Sequence, residues 1–232
     1  MEHFSYKDNS LLVEDASIAS IAESYGTPCF IYSKAALEQN YQAYEKAFEG
    51  HSHLICYAVK ANSNLAVLNV LAKLGAGFDI VSGGELDRVI AAGGDTKKVT
   101  FSGLGKTTQE IYKALDKGIH CFNIESEAEL QRINEIAINK SQVAPISIRV
   151  NPDVNADTHP YISTGLKENK FGISMEKAVQ LYLQATKLEG IYIKGLDFHI
   201  GSQLTSIKPI LDALDRILTL HDQLISRGVN IE

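Results

Sequence analysis

Short apolar runs and longer amphipathic stretches alternate along most of this chain. Runs rich in β-branched and aromatic residues begin near His53, Gly77, Val99, His120, Pro145 and Tyr192. The first four intervals between these starts are about 21 to 25 residues long, which suits a strand, a helix and two short loops. Because parallel strands cannot be joined by a hairpin, the alternation predicts a parallel sheet whose strands are connected by crossover helices.

Two architectures are built from such units, an open doubly wound sheet and a closed (β/α)8 barrel. The regular interval, and the lack of a glycine-rich fingerprint at the start of the first helix, favour the barrel. A helix is predicted over residues 206–226, and the final residues, GVNIE, resemble the start of a seventh strand. Six strands leave two unpaired edges. We therefore expect an incomplete α/β barrel, with about six of the eight strands in this chain.

The first residues follow a different pattern. Apolar residues at helical spacing predict a helix over residues 15–25 that ends at Gly26, and a strand is expected over residues 29–33. Ser33 is a suitable N-cap for a second helix over residues 34–49.

Composition and charge restrict the possible functions. The chain has no apolar run long enough to cross a bilayer. Its first residues also lack the basic segment followed by an apolar segment that is typical of a secretory signal, so we expect a cytoplasmic protein without membrane contact. The net charge of -6, without clusters of Lys and Arg among aromatics, argues against a nucleic-acid partner. The widely spaced Cys29, Cys56 and Cys121 are expected to be buried free thiols, and no metal site is predicted. A small molecule is the expected partner.

Lys60 is the first candidate for chemistry because it ends the first strand of the regular repeat, in HLICYAVKAN. Catalytic groups of (β/α)8 barrels project from the C-terminal ends of the strands. Desolvation at that place would free the amine to form a Schiff base. A lysine at a strand end can equally extend its ammonium group into solvent at the rim, so its position alone leaves both interpretations open.

Three further charged residues lie on neighbouring strands. Asp79 and Glu85 belong to the second strand and the turn after it, GFDIVSGGEL, and Arg149 belongs to the fifth strand, PISIRVNP. Charges inside a barrel require partners, and these three can neutralise one another and set the protonation state of a nearby lysine. Each could equally form a structural ion pair.

The sixth strand, KGLDFHIGSQ, ends in a group suited to a flat phosphorylated ligand. His199 can lie against a planar heteroaromatic ring, while Gly201 permits close backbone approach and Ser202 supplies a hydroxyl donor for phosphate. A histidine paired with a neighbouring carboxylate is the structural alternative.

The segment FSGLGKTT resembles a Walker A loop but does not match it. That pattern requires a glycine five residues before Gly105, where this chain has Thr100. We therefore expect no loop for nucleotide phosphates, and we expect Lys106 to be a rim residue of the barrel.

Five segments occur in an order and spacing that identify a family: YAVKANSN, GFDIVSGGEL, FSGLGK, NPDVNADTHPYISTGLKENKFGI and FHIGSQ. The chain resembles, in these segments, the fold-type III pyridoxal-phosphate decarboxylases, and within them the diaminopimelate decarboxylases. The resemblance runs from about Tyr25 to the last residue. Ornithine-type decarboxylases and alanine racemases, which share the fold, differ in these segments.

This resemblance implies a cofactor and a reaction. Lys60 would bind pyridoxal 5′-phosphate covalently and His199 would stack on its ring, so these two residues are the expected catalytic groups. The other expected cofactor contacts are Gly201, Ser202, Asp79, Glu85 and Arg149. The implied reaction is the decarboxylation of meso-2,6-diaminopimelate to L-lysine and carbon dioxide, a step of lysine biosynthesis.

The resemblance also implies a domain organisation. Residues 1–33 would form an N-terminal segment that packs toward a C-terminal β domain outside this chain, and residues 34–232 a partial pyridoxal-phosphate-binding barrel. The family builds its active sites at a homodimer interface, and other cofactor contacts fall beyond Glu232, so this chain alone is expected to be inactive. Another basic-amino-acid decarboxylase, a racemase of the same fold and a non-catalytic binding protein remain alternatives.

Overall fold

The N-terminal residues form a small antiparallel sheet. The computed structural model describes residues 3–154, 171–202 and 204–231. The sheet consists, in spatial order, of β1 (Phe4–Lys7), β2 (Ser10–Val13) and β3 (Ala16–Ser17). Asp8 and Asn9 connect β1 to β2 with φ angles of 49° and 59°, the backbone of a tight hairpin turn, which these residue types tolerate. The sequence pattern did not predict this sheet, because its strands have at most 4 residues each.

Two helices follow, and each begins at a serine cap. α1 (Ile18–Tyr25) begins after Ser17 and ends at Gly26, and α2 (Lys34–Ala47) begins after Ser33. In both, the serine Oγ accepts a hydrogen bond from a backbone amide of the first turn, which satisfies a donor that the helix itself cannot pair. Both predicted helices are confirmed, with bounds that differ by about three residues or fewer.

The strand expected over residues 29–33 is wrong. This segment has no regular secondary structure, and the side chain of Phe30 is 90% exposed. A strand forms where another strand pairs with its backbone, and none of the strands in the described residues pairs with this segment. β-branched and aromatic residues alone therefore do not decide its conformation.

The rest of the chain alternates strands and helices, as the sequence predicts. In chain order the elements are β4 (Cys56–Ala58), α3 (Leu65–Lys73), β5 (Gly77–Ile80), α4 (Gly83–Ala91), β6 (Val99–Phe101), α5 (Thr108–Asp116), β7 (Cys121–Ile124), α6 (Glu127–Asn139), β8 (Ala144–Asn151), β9 (Ile173–Ser174), α7 (Met175–Ala185), β10 (Ile191–Asp197) and α8 (Lys208–Ser226). The main strands pair in parallel in the order β4-β5-β6-β7-β8-β10, and β9 pairs with the end of β8. Sequential parallel strands joined by helices are the arrangement of a (β/α)8 barrel, which confirms the predicted fold class.

The two outer strands of this sheet are β4 and β10 within the residues described. The six predicted strand starts are correct to within about three residues, and α8 confirms the predicted long helix. Residues 228–231 form no strand, so the expected start of a seventh strand is not found in the described chain.

Each barrel strand has one apolar face and one polar face. Side chains that pack with the helices into the main core are fully buried, among them Phe78, Phe101, Phe122, Ile146 and Ile148. Polar side chains occupy the alternate positions, namely Asp79, Thr100, Asn123, Ser147 and Arg149. Successive side chains of a strand point to opposite faces, so the apolar set stabilises the barrel wall while the polar set lines its interior.

Tyr182 of α7 holds β10 beside β8. Its hydroxyl accepts a hydrogen bond from the Ile148 amide (3.1 Å) and donates to the carbonyl of Gly195 (2.9 Å). The pairing of β8 with β10 shifts register between Ile193 and Gly195, next to this contact. Burial raises the pKa of Tyr182, so the hydroxyl stays protonated and able to donate at neutral pH.

Candidate active site

One cavity of about 530 Å³ lies among the inward-facing residues of the barrel strands. Its lining includes Lys60, Asp79, Arg149 and His199, four of the seven residues that the sequence singled out. The cavity is also lined by two thiols, three neutral polar side chains and a further carboxylate, namely Cys56, Cys121, Ser102, Asn123, Ser147 and Asp197. Because the carboxyl ends of parallel strands meet at one edge of the sheet, residues far apart in the sequence converge here.

Lys60 lies in the 3-10 turn Val59–Ala61 directly after β4. The neighbouring Val59 is fully buried and anchors the turn, whereas the Lys60 side chain is accessible to solvent while it lines the cavity. Of the two interpretations left open by the sequence, the structure thus shows a Lys60 side chain that is exposed and not desolvated. Its amine is accessible both to the cavity and to a ligand that enters from solvent.

Asp79 is held by a chain of hydrogen bonds that crosses the barrel interior. Its Oδ1 accepts from Ser102 Oγ (2.5 Å) and from Thr100 Oγ1 (3.2 Å). Ser102 Oγ in turn accepts from Asn123 Nδ2 (2.9 Å), and Asn123 Oδ1 accepts from Ser147 Oγ (2.7 Å). Every donor in the chain points toward Asp79, so four adjacent strands, β5 to β8, together orient one carboxylate.

Arg149 is a buried cation in the wall of the cavity. Its guanidinium donates to Glu125 Oε1 (2.9 Å), and the ring of Phe171 lies 5.4 Å from its central carbon. Asn151 Nδ2 holds the Phe171 carbonyl (2.6 Å), so the end of β8 positions the ring over the guanidinium. Arg149 Nε and Glu125 Oε2 are buried and have no hydrogen-bond partner among the described residues. Arg149 thus retains an unused donor.

Asp197 and His199 project from the end of β10 into the same cavity. The pKa of Asp197 is raised to about 6, chiefly by burial. The guanidinium of Arg149 opposes this rise, while the negative charges of Glu125 and Asp79 add to it. Burial also lowers the pKa of His199, and the positive charges of Arg149 and Lys60 act in the same direction. The His199 imidazole is therefore neutral at physiological pH.

The cysteines differ in their surroundings. Cys56 and Cys121 line the cavity, and burial raises the pKa of their thiols to about 11 and about 12, so both are protonated at neutral pH. Of the three thiols expected to be buried, only Cys121 is buried, Cys56 is half-buried, and Cys29 is exposed, so the expectation is wrong for Cys29. It lies in the segment before α2 that lacks regular structure.

Three of the predicted site residues lie outside this cavity lining. Glu85 Oε2 accepts a hydrogen bond from the Val81 amide (2.7 Å), while the Glu85 amide donates to Ser82 Oγ (3.2 Å). Glu85 therefore caps the start of α4, and its predicted contact with the cofactor stays a prediction. Gly201, with a φ of 124°, and the exposed Ser202 follow β10 beyond the lining. Their assignment to a phosphate environment stays a prediction.

Lys106 is not a rim residue, because its side chain is completely buried. Its ammonium group donates to the carbonyls of Gly103 and Asn123 and to Glu129 Oε1, each at 2.8 Å. Three oxygen acceptors at this distance compensate the loss of hydration that a buried lysine incurs.

The sequence interpretation missed Glu125 and Asp197 as charges of the site. Glu125 directly follows β7 and Asp197 ends β10, so both occupy the strand-end position that had pointed to Lys60. Applying that criterion to every strand would have found them. Ser102 and Asn123 carried no comparable signal, since neutral polar residues are common in loops and strands.

Part of the motif NPDVNADTHPYISTGLKENKFGI, which contributes to the family resemblance, lies outside the described residues, as does Gln203 of FHIGSQ. Among the residues that are described, no group of three or more His, Cys, Asp or Glu is arranged to hold a metal ion. In that same part of the chain, no helix combines the length and apolarity required to span a bilayer.

Comparison with known proteins places this site in a family. Residues 34–232 match the family model described as "Pyridoxal-dependent decarboxylase, pyridoxal binding domain". Diaminopimelate decarboxylase of Pseudomonas aeruginosa is 56% identical over 231 residues, which are 100% of this chain and 56% of that protein. The Haemophilus influenzae diaminopimelate decarboxylase is 55% identical over 232 residues, with the same coverage. The chain thus spans about half the length of the curated relatives it matches.

Solved structures agree with the sequence relatives. A diaminopimelate decarboxylase from M. jannaschii superimposes with a TM-score of 0.93 at 38% identity, covering 100% of this chain and 55% of that one. The Helicobacter pylori diaminopimelate decarboxylase, solved in complex with L-lysine, gives a TM-score of 0.90 at 42% identity, covering 92% and 54%. The family match covers every strand of the incomplete barrel and all four cavity residues that the sequence had predicted. The chain belongs to the pyridoxal-dependent decarboxylases, whose pyridoxal-binding domain it contains.

Proposed function

We propose that this protein is a pyridoxal-phosphate-dependent carboxy-lyase that converts meso-2,6-diaminopimelate to L-lysine and carbon dioxide. One observation carries the proposal: Lys60, Asp79, Arg149 and His199 converge on a single cavity in a chain that belongs to this family. The choice of substrate is supported by relatives named diaminopimelate decarboxylase at 55% and 56% identity, and by related structures solved with L-lysine.

The groups on the cavity wall suit pyridoxal phosphate. A volume of about 530 Å³ lies in the range of small-molecule sites. Lys60 supplies a solvent-accessible primary amine and His199 a flat ring, while Arg149 Nε is a buried donor without a partner among the described residues. Lys60 would hold the cofactor covalently, and His199 and Arg149 would contact it.

Once bound, the cofactor supplies an electron sink for the pair of electrons left when carbon dioxide departs. The protein's own residues position and charge the site around it. His199, neutral at physiological pH because its pKa is lowered, can pack against a flat ring without adding a positive charge. Arg149 provides a fixed cation that attracts carboxylate or phosphate.

Asp79 complements these cations. Thr100 and Ser102 donate to its Oδ1, and no described residue donates to its Oδ2. A carboxylate with one bound and one available oxygen attracts ammonium groups such as those of a diamino acid. The cavity therefore offers charges of both signs to a substrate that carries two ammonium and two carboxylate groups.

The assembly is also part of this proposal. We expect residues 1–33 to pack toward a C-terminal β domain, supported by a groove of about 430 Å³ lined by Phe30, Tyr32 and Val67 and by the exposure of both aromatic rings. A cytoplasmic homodimer follows from the family resemblance. Sedimentation equilibrium of the full-length protein tests the dimer, which a monomer of that protein at micromolar concentration would contradict.

Covalent labelling tests the cofactor. The purified protein is incubated with pyridoxal phosphate, reduced with borohydride, digested and analysed by mass spectrometry. We expect the pyridoxyl adduct on Lys60 in clear preference to other lysines, its loss in Lys60→Ala, and unchanged labelling in the matched control Lys73→Ala, which changes an exposed lysine of α3. Labelling spread evenly over surface lysines would contradict the assignment.

Product analysis tests the substrate. Meso-diaminopimelate, L-lysine, L-ornithine and L-arginine are each supplied with pyridoxal phosphate to the full-length protein, because this chain alone is expected to be inactive. Carbon dioxide release and product chirality are measured. Release from meso-diaminopimelate with formation of L-lysine supports the proposal. Preference for another basic amino acid identifies a different decarboxylase, inversion without carbon dioxide identifies a racemase, and Lys60 labelling without turnover of any of these identifies a binding protein.

A further inference from the structure

Lys106 forms three hydrogen bonds within the barrel wall, although its side chain does not line the cavity. Its ammonium group joins the loop after β6, through Gly103, to the end of β7, through Asn123. The third acceptor, Glu129, belongs to α6. One buried cation therefore ties three consecutive segments of the barrel wall together.

Glu129 connects Lys106 to the residue that directly follows β7, Glu125. Its Oε1 accepts from Lys106, and its Oε2 accepts from the backbone amide of Glu125 at 2.7 Å. Ser126 Oγ accepts from the Glu129 amide (3.2 Å), which fixes the start of the helix that carries Glu129. Glu129 thus holds the backbone amide of Glu125, and Lys106 holds the carbonyl of Asn123 two residues earlier.

Glu125 connects this buried pair to the cavity. Its carboxylate, whose side chain is 1% exposed, accepts from Arg149 at 2.9 Å, and Arg149 lines the cavity. Each link from Lys106 through Glu129 and Glu125 to Arg149 is a charge-assisted hydrogen bond of 2.9 Å or shorter. A shift of the Glu125 backbone would therefore move the carboxylate that the guanidinium binds.

A purely stabilising role explains these contacts less well. Burying a lysine and a glutamate is costly, and well-packed apolar residues of similar size commonly give equal or greater stability. A buried charge pair does, however, orient the groups that it binds, because its hydrogen bonds are satisfied in only one arrangement of donors and acceptors. The pair here is directed at the backbone of a residue that binds a cavity cation.

We infer that Lys106 is a positioning residue for the cofactor site, which sets the location of Arg149 through Glu129 and Glu125. Only the choice of pyridoxal phosphate as the ligand rests on the proposed function. The positioning itself is a property of the polypeptide and is measurable without any ligand.

Hydrogen–deuterium exchange at the Glu125 amide tests the positioning directly. Lys106→Met removes the ammonium group at similar length, and Lys106→Met/Glu129→Gln also removes the buried charge left behind, so that folding is retained. Lys140→Met is the matched control, because Lys140 also pairs with a carboxylate, that of Asp116, and lies 5.3 Å over a tyrosine ring, yet away from the cavity. We expect exchange at Glu125 to be at least tenfold faster in both Lys106 variants and unchanged in the control. Unchanged exchange in the folded double variant would overturn the inference.

A double-mutant cycle with pyridoxal phosphate tests the consequence for the site. Lys106→Met and Glu125→Gln are each expected to weaken labelling of Lys60 about tenfold, as loss of an outer support commonly does. If Lys106 acts through Glu125, the two changes together weaken labelling no more than either alone. Multiplied effects would show independent roles and overturn the inference. Absence of Lys60 labelling in the unaltered protein would instead contradict the proposed function, while the exchange measurement still decides the positioning.

Discussion

Arg149 and Asp197 are direct partners across the parallel pair of β8 and β10, and both line the cavity. The pair joins two strands whose hydrogen-bonded register shifts just before it. Because Arg149 also binds Glu125, it faces two carboxylates and can fully compensate only one of them. This imbalance, together with burial, is why the pKa of Asp197 is raised to about 6.

The raised pKa of Asp197 predicts a pH-dependent cost in stability. Between the unfolded value of 3.8 and about 6 the folded state binds more protons, so the contribution of Asp197 to stability falls as pH rises through this window. Asp197→Asn is expected to raise the free energy of unfolding by about 2 kcal/mol more at pH 7.5 than at pH 4. Urea unfolding at both values measures this. Asp215→Asn, at an exposed position of α8, is the control and should show no such difference. Equal effects of Asp197→Asn at the two pH values would contradict the prediction.

The lowered pKa of His199 predicts an electrostatic response to Lys60. Removing a nearby positive charge makes protonation of the imidazole easier, so Lys60→Gln is expected to raise the pKa of His199. Titration of the imidazole signals by NMR measures the change. Lys73→Gln, which alters an exposed lysine of α3, serves as the control and should leave the titration where it is. A His199 midpoint identical in the unaltered and Lys60→Gln proteins would argue against their proximity.

Ser102→Ala is expected to interrupt the hydrogen-bond chain that ends on Asp79. The change removes the donor at 2.5 Å from Asp79 and the acceptor used by Asn123. We expect the free energy of unfolding to fall by about 1 to 3 kcal/mol, because partly buried polar groups lose their partners. Denaturant unfolding measures it, with the exposed Ser226→Ala as control. A loss as small as that of the control would mean that water replaces the hydroxyl without cost.

Tyr182→Phe tests how β10 is held beside β8. The variant keeps the buried ring and removes only the hydroxyl that bonds to Ile148 and Gly195. A loss of about 2 kcal/mol in unfolding free energy is expected, together with faster amide exchange in β10. Tyr44→Phe, at an exposed position of α2, is the matched control. Unchanged exchange in β10 would show that strand pairing alone is sufficient.

Glu85→Ala separates a capping role from a role at the cofactor. Since its carboxylate binds the Val81 amide and lies outside the cavity lining, we expect a stability loss of about 1 kcal/mol and undiminished labelling of Lys60 by pyridoxal phosphate. Thermal unfolding and the labelling experiment measure the two effects. A folded variant with labelling reduced tenfold would instead place Glu85 in the cofactor environment that the family resemblance implies.

The regular interval between short apolar runs, and the amphipathic stretches that separate them, were sufficient to predict most of the barrel. The starts of β5 and β6 were placed correctly because Gly77 and Val99 begin short buried runs between amphipathic helices. The expected strand over residues 29–33 failed although its composition is equally suited to strands, since pairing depends on a neighbour that is distant in sequence. The hairpin of β1 and β2 was missed because strands of 4 residues are too short to show a recognisable alternation of apolar and polar residues.

The candidate site was predictable where polar residues lie on or at the ends of barrel strands. Lys60 and His199 were found by their positions at strand ends, and Asp79 and Arg149 as charges on strands inside the barrel. The structure brings all four to one cavity. Lys106 was misassigned, because a lysine in a glycine-rich loop has the same local sequence whether it extends into solvent or turns inward. Its burial depends on Glu129 and on two carbonyls supplied by other segments.

The sequence by itself determined the alternation of strands and helices, the helix cap at Ser33, and the family to which the chain belongs, because these depend on local periodicity and on the order of short motifs. Only the tertiary structure decided that Asp197 faces Arg149, that Glu85 caps a helix instead of lining the cavity, and that Lys106 is buried. The physical reason is that burial and charge compensation are sums over groups from several strands and helices. No single segment of the sequence contains all of those groups.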